Sequence, residues 1–309
     1  MDTLFYTHPS FLSHNPGPGH PESPERLRAV WKALDAPQFN LLIRREAPVG
    51  SLDQVKLIHD AEYVETIMSS IPARGLVQLD PDTSLSPGSG EALIRGIGAT
   101  CAAVDAIMAG DADNAFCAVR PCGHHAEPAR AMGFCIFNQI AVAAAHARVA
   151  HGLSRVAVVD FDVHHGNGTQ AAFQADSGFF YTSTHQSPLY PGTGSRNEKG
   201  LGNIVNIPLP HGTGSEAFRQ AVESEMLPAL EAFDPEFIFI SAGFDAHYSD
   251  PLAGLNFNAE DYYWITRELM HLADRHCNGR IVSMLEGGYS MEGLEQSTAA
   301  HVKALMQDL

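Results

Sequence analysis

Asp162 and His164 stand two residues apart in the segment Val159-Asp160-Phe161-Asp162-Val163-His164-His165-Gly166-Asn167-Gly168. On an extended backbone, residues two apart share a face. A carboxylate oxygen and an imidazole nitrogen then look into the same space, a donor pair that suits Zn²⁺. Catalytic zinc takes three protein ligands and keeps one position open. Asp245, in Ser241-Ala242-Gly243-Phe244-Asp245, is the natural third ligand. Taken alone, Asp-x-His reads equally well as a strand end whose Asp caps the next helix. Asp160 is the first carboxylate of the segment. It can orient a neighbouring histidine, or its backbone can bind a monovalent cation.

Two further segments carry acid–base chemistry. Gly123-His124-His125 places adjacent imidazoles after a glycine turn. Water activated by a metal needs a base to take its proton, and a leaving amine needs an acid to return one. Gly287-Gly288-Tyr289 offers an exposed phenol on a glycine turn, suited to donating a hydrogen bond to an oxyanion. Each has a plainer reading by itself, as a solvated helix start and a surface loop. The chain holds 16 histidines, several in pairs or beside Asp and Gly, which fits a metal or acid–base site.

These segments need elements to position them. Short apolar runs predict strands over 4–6, 115–119, 156–160, 179–184, 204–207, 237–241 and 281–285. They alternate with helical stretches beginning near Ser23, Ser89, Phe137, Asn167, Ser215, Asn258 and Met291. The alternation predicts an α/β fold, a parallel sheet covered by helices. Ser23-Pro24-Glu25 predicts a capped start with proline in the first turn. The Ala-rich run 140–149 predicts a buried helix. The chemically loaded segments all follow strands, and in open parallel sheets ligands bind at the carboxyl ends of the strands. Four segments therefore converge on one rim.

The 309 residues, 45% hydrophobic, suffice for one large α/β domain, 1–309. The net charge of −17 argues against a nucleic-acid partner and favours a cationic one. Cys101, Cys117, Cys122, Cys135 and Cys277 show no CxxC spacing and predict reduced thiols. The N-terminal residues show no signal-peptide pattern, and no run is expected to approach the roughly 20 apolar residues needed to span a bilayer. The expectation is a cytoplasmic protein without a membrane partner; a homo-oligomer stays open.

Taken together the motifs resemble the histone deacetylase superfamily, including bacterial histone deacetylase-like amidohydrolases, acetylpolyamine amidohydrolases and acetoin-utilisation proteins. The resemblance runs through His20-Pro21-Glu22, Pro24-Glu25-Arg26, Arg120-Pro121 to His125, Gly133-Phe134-Cys135-Ile136-Phe137-Asn138, 160–168, Tyr190-Pro191-Gly192-Thr193-Gly194, 241–245 and 286–289. Asn167 and Leu285-Glu286-Gly287-Gly288-Tyr289 look like the class II branch. The resemblance implies an arginase/deacetylase-like fold with a central eight-stranded, mostly parallel sheet, helices on both faces, and amide hydrolysis at one zinc per chain. It implies His125 as general base and then acid, His124 as an electrostatic partner oriented by Asp160, Asn167 bonded to His125, and Tyr289 polarising the acetyl carbonyl. Phe134 and Tyr190 would line a narrow channel, Tyr190 standing where relatives usually carry phenylalanine. The Gly133 carbonyl would accept the scissile N–H, Asp82 would hold substrate at the rim, and Arg26 would lie in an internal cavity. Asp160, Asp162, His164, Ser183 and Thr184 match a structural potassium site.

The implied reaction releases acetate and free amine from acetyl-lysine or a small acetylated amine. Polyamine-specific class II relatives carry a glutamate shortly after the third ligand, where this chain has Leu252, which favours acetyl-lysine over acetylpolyamines. Two other readings are a binuclear manganese ureohydrolase, which needs extra bridging carboxylates, and a non-catalytic acetyl-lysine binder.

Overall fold

The structure is a computed structural model that describes residues 1–307. The strands are β1 (Thr3–Thr7), β2 (Ile43–Glu46), β3 (Val77–Asp80), β4 (Thr83–Leu85), β5 (Asn114–Cys117), β6 (Val156–Asp160), β7 (Phe179–Gln186), β8 (Ile204–Leu209), β9 (Phe237–Ala242) and β10 (Ile281–Leu285). The helices are α1 (Pro24–Leu34), α2 (Leu52–Val55), α3 (Ala61–Ser69), α4 (Ser89–Ala109), α5 (Gln139–His151), α6 (Asn167–Phe173), α7 (Ser215–Ala221), α8 (Leu227–Phe233), α9 (Ala259–Cys277) and α10 (Met291–Leu305). Eight strands form one sheet in the order β2-β1-β5-β10-β9-β6-β7-β8, every pair parallel. β3 and β4 form a separate antiparallel pair.

Burial explains the order. β5, β6, β9 and β10 are buried at every residue, as strands covered on both faces must be. They occupy adjacent positions at the centre of the sheet, β5-β10-β9-β6. The expected strands at 156–160 and 281–285 form with those bounds, whereas 115–119 shifts to Asn114–Cys117. β2 was not expected: Ile-Arg-Arg-Glu has no apolar run, because an edge strand carries charge instead of a buried face. α2, α3, α8 and the β3–β4 pair were also not anticipated.

Three local expectations are corrected. Ser23 occupies the position before α1 but its side chain makes no capping bond; proline at the first position does the work of starting the helix. Within 140–149, residues 140–145 and Ala147 are buried, His146 and Arg148 are part-exposed, and Val149 is 71% exposed. α4 is long and apolar enough, by length and composition, to cross a membrane. It is instead mostly buried within the protein, packed on α5 and β5. Gly98 shows how tightly: a Cβ there would fall 2.0 Å from the Pro48 carbonyl oxygen.

The N-terminal segment is locked to the sheet by buried charge. Glu22, Arg26 and Arg120 are all fully buried. Glu22 accepts from Arg26 Nη1 at 3.0 Å and from Arg120 Nη2 at 2.7 Å. Burial opposes ionisation of Glu22, but Arg120, His14 and Arg26 overcome it and hold the carboxyl far below its usual range. Breaking one member of a buried ion group strands the others. Glu22→Ala is therefore expected to lose about 3–5 kcal/mol of stability, measured as a lower urea midpoint with the same slope.

Candidate active site

The adjacency of β5, β10, β9 and β6 brings four loops to one rim. Val163 N–H donates to Asp245 Oδ1 at 2.8 Å, His164 N–H to Asp162 Oδ1 at 2.9 Å, and Gly287 N–H to Asp162 Oδ2 at 2.8 Å. Backbone donors thus fix both carboxylates. Glycine is needed for this approach: a Cβ on Gly243 would lie 2.0 Å from Asp162 Oδ2, and one on Gly287 2.1 Å from Asp245 Oδ2. His164 Nδ1 sits 3.1 Å from Asp162 Oδ1 and 3.1 Å from Asp245 Oδ2. The three side chains offer ligand atoms all within 4.8 Å of one another.

This set fits a divalent cation. Two buried carboxylates converge on one imidazole. Burial raises the Asp245 carboxyl, and the neighbouring Asp162 charge raises it further. Burial works against charge on His164, yet Asp162 and Asp245 lift it to about 10. The site therefore draws positive charge inward, and one nitrogen with two carboxylate oxygens is a zinc donor set. Among the described residues this group has three members, and Asp160 is engaged elsewhere, so the bridging carboxylates of a binuclear centre are missing.

The two histidines are held differently. His124 Nδ1 donates to Asp160 Oδ2 at 2.9 Å, and the same oxygen accepts the Tyr181 hydroxyl at 3.0 Å. Burial would lower His124, but Asp160 and Asp162 raise it well above the ordinary histidine value. His125 Nδ1 contacts Asn167 Oδ1 at 2.8 Å, while Asn167 Nδ2 donates to Glu127 Oε1 at 2.8 Å. The Glu127 carboxylate can only accept, so it fixes the amide. Asn167 Oδ1 then accepts Nδ1–H of His125 and leaves Nε2 as the free lone pair. Burial, with His124 and His164 nearby, pushes His125 well below the ordinary value. The two neighbouring imidazoles, with ring centroids 4.0 Å apart, are pushed in opposite directions, His124 toward its charged form and His125 toward its neutral one.

Glu286 holds the turn beneath them. It accepts from Gly123 N–H at 2.7 Å and His124 N–H at 3.2 Å. Tyr289 is only part-exposed, contrary to the expectation of an exposed phenol. Its N–H donates to Asp250 Oδ2 at 2.7 Å, and the Ser290 N–H reaches the same oxygen at 3.2 Å. Arg26 lies beneath, its guanidinium 4.9 Å from the Tyr289 ring centroid and its donors on the carbonyls of Gly288 and Glu286. Burial keeps the phenol protonated. Asp250→Ala would free the loop that aims this hydroxyl. A misplacement of about 1 Å costs roughly 10²-fold, so kcat is expected to fall by about that factor in steady-state kinetics, with an unchanged circular dichroism spectrum.

Asp82, His125, Gly133, Phe134, His164, Leu189, Tyr190, Leu252 and Tyr289 line one cavity of about 210 Å³. Phe134 stands edge-on to Tyr289 at 5.8 Å, and Tyr190 edge-on to His125 at 5.2 Å. Gly133 has φ +57°, and a Cβ there would lie 2.4 Å from His125 Cδ2. Asp82 reaches the rim, but its Oδ1 is engaged by Gly133 N–H at 3.1 Å and the Thr83 hydroxyl at 2.7 Å. Ser183 lies opposite Asp160 in the β6–β7 register. The Thr184 hydroxyl is buried without a hydrogen-bond partner and points to the other face of β7. His165 and His247 stand apart from the cluster, on Thr193 with Gln170 and on Ser249. Glu127, Tyr181, Asp250 and Glu286 were not singled out from sequence, although Glu286 and Asp250 lie in stretches read for Tyr289 and Leu252; their partners are distant in the chain.

A parallel α/β sheet that gathers a three-residue metal-binding cluster, two adjacent imidazoles and a phenol at one rim, with His125, His164 and Tyr289 lining one cavity, defines a hydrolase-type site. Residues 20–305 match the family described as the histone deacetylase domain. The chain is 38% identical to "Histone deacetylase 14, chloroplastic" of Arabidopsis thaliana, covering 98% of this chain and 76% of that protein. It is 41% identical to "Histone deacetylase-like amidohydrolase" of Pseudomonas aeruginosa, over 88% and 73%. It is 37% identical to "Probable deacetylase" of Archaeoglobus fulgidus, over 99% and 86%. A solved structure titled "Crystal Structure of HDA15 HD domain" superposes with a TM-score of 0.94 at 33% identity, covering 98% of this chain and 88% of that one. The chain belongs to the histone deacetylase family, whose named members here are deacetylases and amidohydrolases, and it has that family's arginase/deacetylase-like fold.

Proposed function

We propose that the protein is a zinc-dependent amide hydrolase that removes acetyl groups, with acetyl-lysine of proteins or peptides as its substrate. The observation that carries this is the cavity: aromatic walls from Phe134 and Tyr190, and His125, His164 and Tyr289 among its lining. A lysine's methylene stem fits such walls, since apolar rings bind it without demanding charge. One Zn²⁺ on Asp162, His164 and Asp245 would supply Lewis acidity, polarising the acetyl carbonyl and acidifying a bound water.

The chain's own groups do the rest. His125 Nε2 takes a proton from the attacking water and returns one to the leaving amine. His124, held toward its charged form by Asp160, would place positive potential where negative charge develops. Tyr289 donates its hydroxyl to the oxyanion, and the Gly133 carbonyl accepts the scissile N–H. The products are acetate and the free amine. A potassium ion at Asp160, Asp162, His164, Ser183 and Thr184 would neutralise the acidic end of β6.

Leu252, 37% exposed on the cavity lining, supports acetyl-lysine over acetylpolyamines because it offers a cationic chain no carboxylate. Acetyl-lysine peptides are expected to show higher kcat/KM than acetylputrescine or acetylspermidine in a side-by-side panel. Leu252→Glu should raise acetylputrescine turnover by about fivefold, the reach of a part-exposed charge pair of about 1 kcal/mol. A wild-type panel in the reverse order overturns the substrate assignment.

A further inference from the structure

A second cluster of metal-binding side chains lies away from the catalytic cavity. Asp105 is on α4, and His146 and His151 are on α5. His146 Nε2 lies 2.8 Å from Asp105 Oδ1, and His151 Nε2 lies 2.7 Å from that same oxygen. The two rings meet edge-on at 5.8 Å, with an interplanar angle of 82°. Both nitrogens are therefore aimed at one point. The ligand atoms of the three residues all lie within 4.8 Å of one another.

We propose that Asp105, His146 and His151 form a second metal site, structural in role, for a borderline divalent transition-metal ion such as Zn²⁺. Two imidazole nitrogens and one carboxylate oxygen are the donors such an ion selects, at about 2.0–2.2 Å each. An ion at those distances needs its ligand atoms roughly 3 Å apart, which small side-chain rotations supply from the observed spacing. The side chains are accessible, at 52%, 13% and 23% exposure, so a hydrated ion can reach them and keep water in its remaining positions.

Position adds to the case. α4 ends at Ala109 just before β5, and α5 ends at His151 just before β6. The cluster thus sits at the starting ends of the strands, whereas the catalytic groups sit at their finishing ends. Helix C-termini carry partial negative charge that favours cations. His151 is the final residue of α5, and Asp105 is in the closing turns of α4. An ion here would pin α4 to α5, the two helices that lead into the strands bearing the catalytic histidines and the metal ligands.

The test uses the whole chain, stripped of metal, equilibrated with Zn²⁺ alone and passed through a desalting column before elemental analysis. Wild type is expected to retain two zinc equivalents and His146→Ala/His151→Ala one. His146→Gln/His151→Gln, which keeps polar side chains in case the alanines disturb folding, should also retain one. Asp245→Asn, impaired in the catalytic cluster, should retain the second equivalent and still gain thermal stability from Zn²⁺, a gain lost when both histidines are replaced. Equal zinc in wild type and both histidine variants overturns the proposal. A catalytic cluster that binds no zinc would leave the wild-type-to-variant difference of one equivalent intact, so the two assignments fail separately.

Discussion

Asp245→Asn is expected to fold, to lose the catalytic zinc equivalent and to lose at least about 10³-fold in kcat/KM, since a Lewis acid contributes several kcal/mol to the transition state. The reason lies in the charge balance of the site. Asp162 and Asp245 are both buried and both aimed at His164 Nδ1. Removing one carboxylate leaves the cluster with two ligands, too few for a catalytic ion. The Val163 N–H that now donates to Asp245 Oδ1 can still meet the amide oxygen of asparagine, so the backbone should hold. Elemental analysis and amide hydrolysis on the same preparation check the result. Full activity in Asp245→Asn would sink the single-zinc assignment, and the joint loss of two manganese ions would point instead to a binuclear centre.

Tyr289→Phe and His125→Ala should separate the two parts of catalysis. Removing one oxyanion donor costs about 10²–10³-fold in kcat. Removing the general base costs about 10²–10⁴-fold. Neither change touches the metal ligands, so zinc content should stay at the wild-type value. In Tyr289→Phe, KM should change little, because the phenol acts on charge that develops after substrate binds. The double variant should fall well short of the product of the single losses, as groups acting on one transition state do. Measuring kcat, KM and zinc for the four proteins tests all of this. A chain that binds acetyl-lysine without hydrolysing it would show no difference among them.

The metal ligands and the histidine pair were legible in the sequence because their chemistry is written locally. Asp162 and His164 fall on one extended face, and His124-His125 are neighbours. The central strands were legible because β5, β6, β9 and β10 are buried on both faces and so read as apolar runs. The edge strand β2 was not, since its residues face solvent and carry charge. α4 has the length and composition of a spanning helix, yet the surrounding protein buries most of it. The groups that tune the site were hidden for a different reason. Glu127 sets the amide of Asn167 from 40 residues away, and Asp250 holds Tyr289 from 39. Such pairs are created by the fold, and no periodicity announces them.

The place of β10 also dictates when this site can exist. Among the described residues β10 comes after every other strand of the sheet along the chain, yet it lies between β5 and β9 and bonds to both. Until residues 281–285 leave the ribosome, the sheet is two separate pieces, β2-β1-β5 and β9-β6-β7-β8, each with a bare edge where β10 belongs. His124 and His125 belong to the first piece; Asp162, His164 and Asp245 belong to the second. A nascent chain stalled before this strand should therefore show no hydrolysis, even with metal bound to the second piece. Closing the gap is a long-range event, and such contacts form slowly and leave strand edges open to aggregation. A chain truncated ahead of residue 281 is therefore expected to lose the site as a whole, because one five-residue strand joins its two halves.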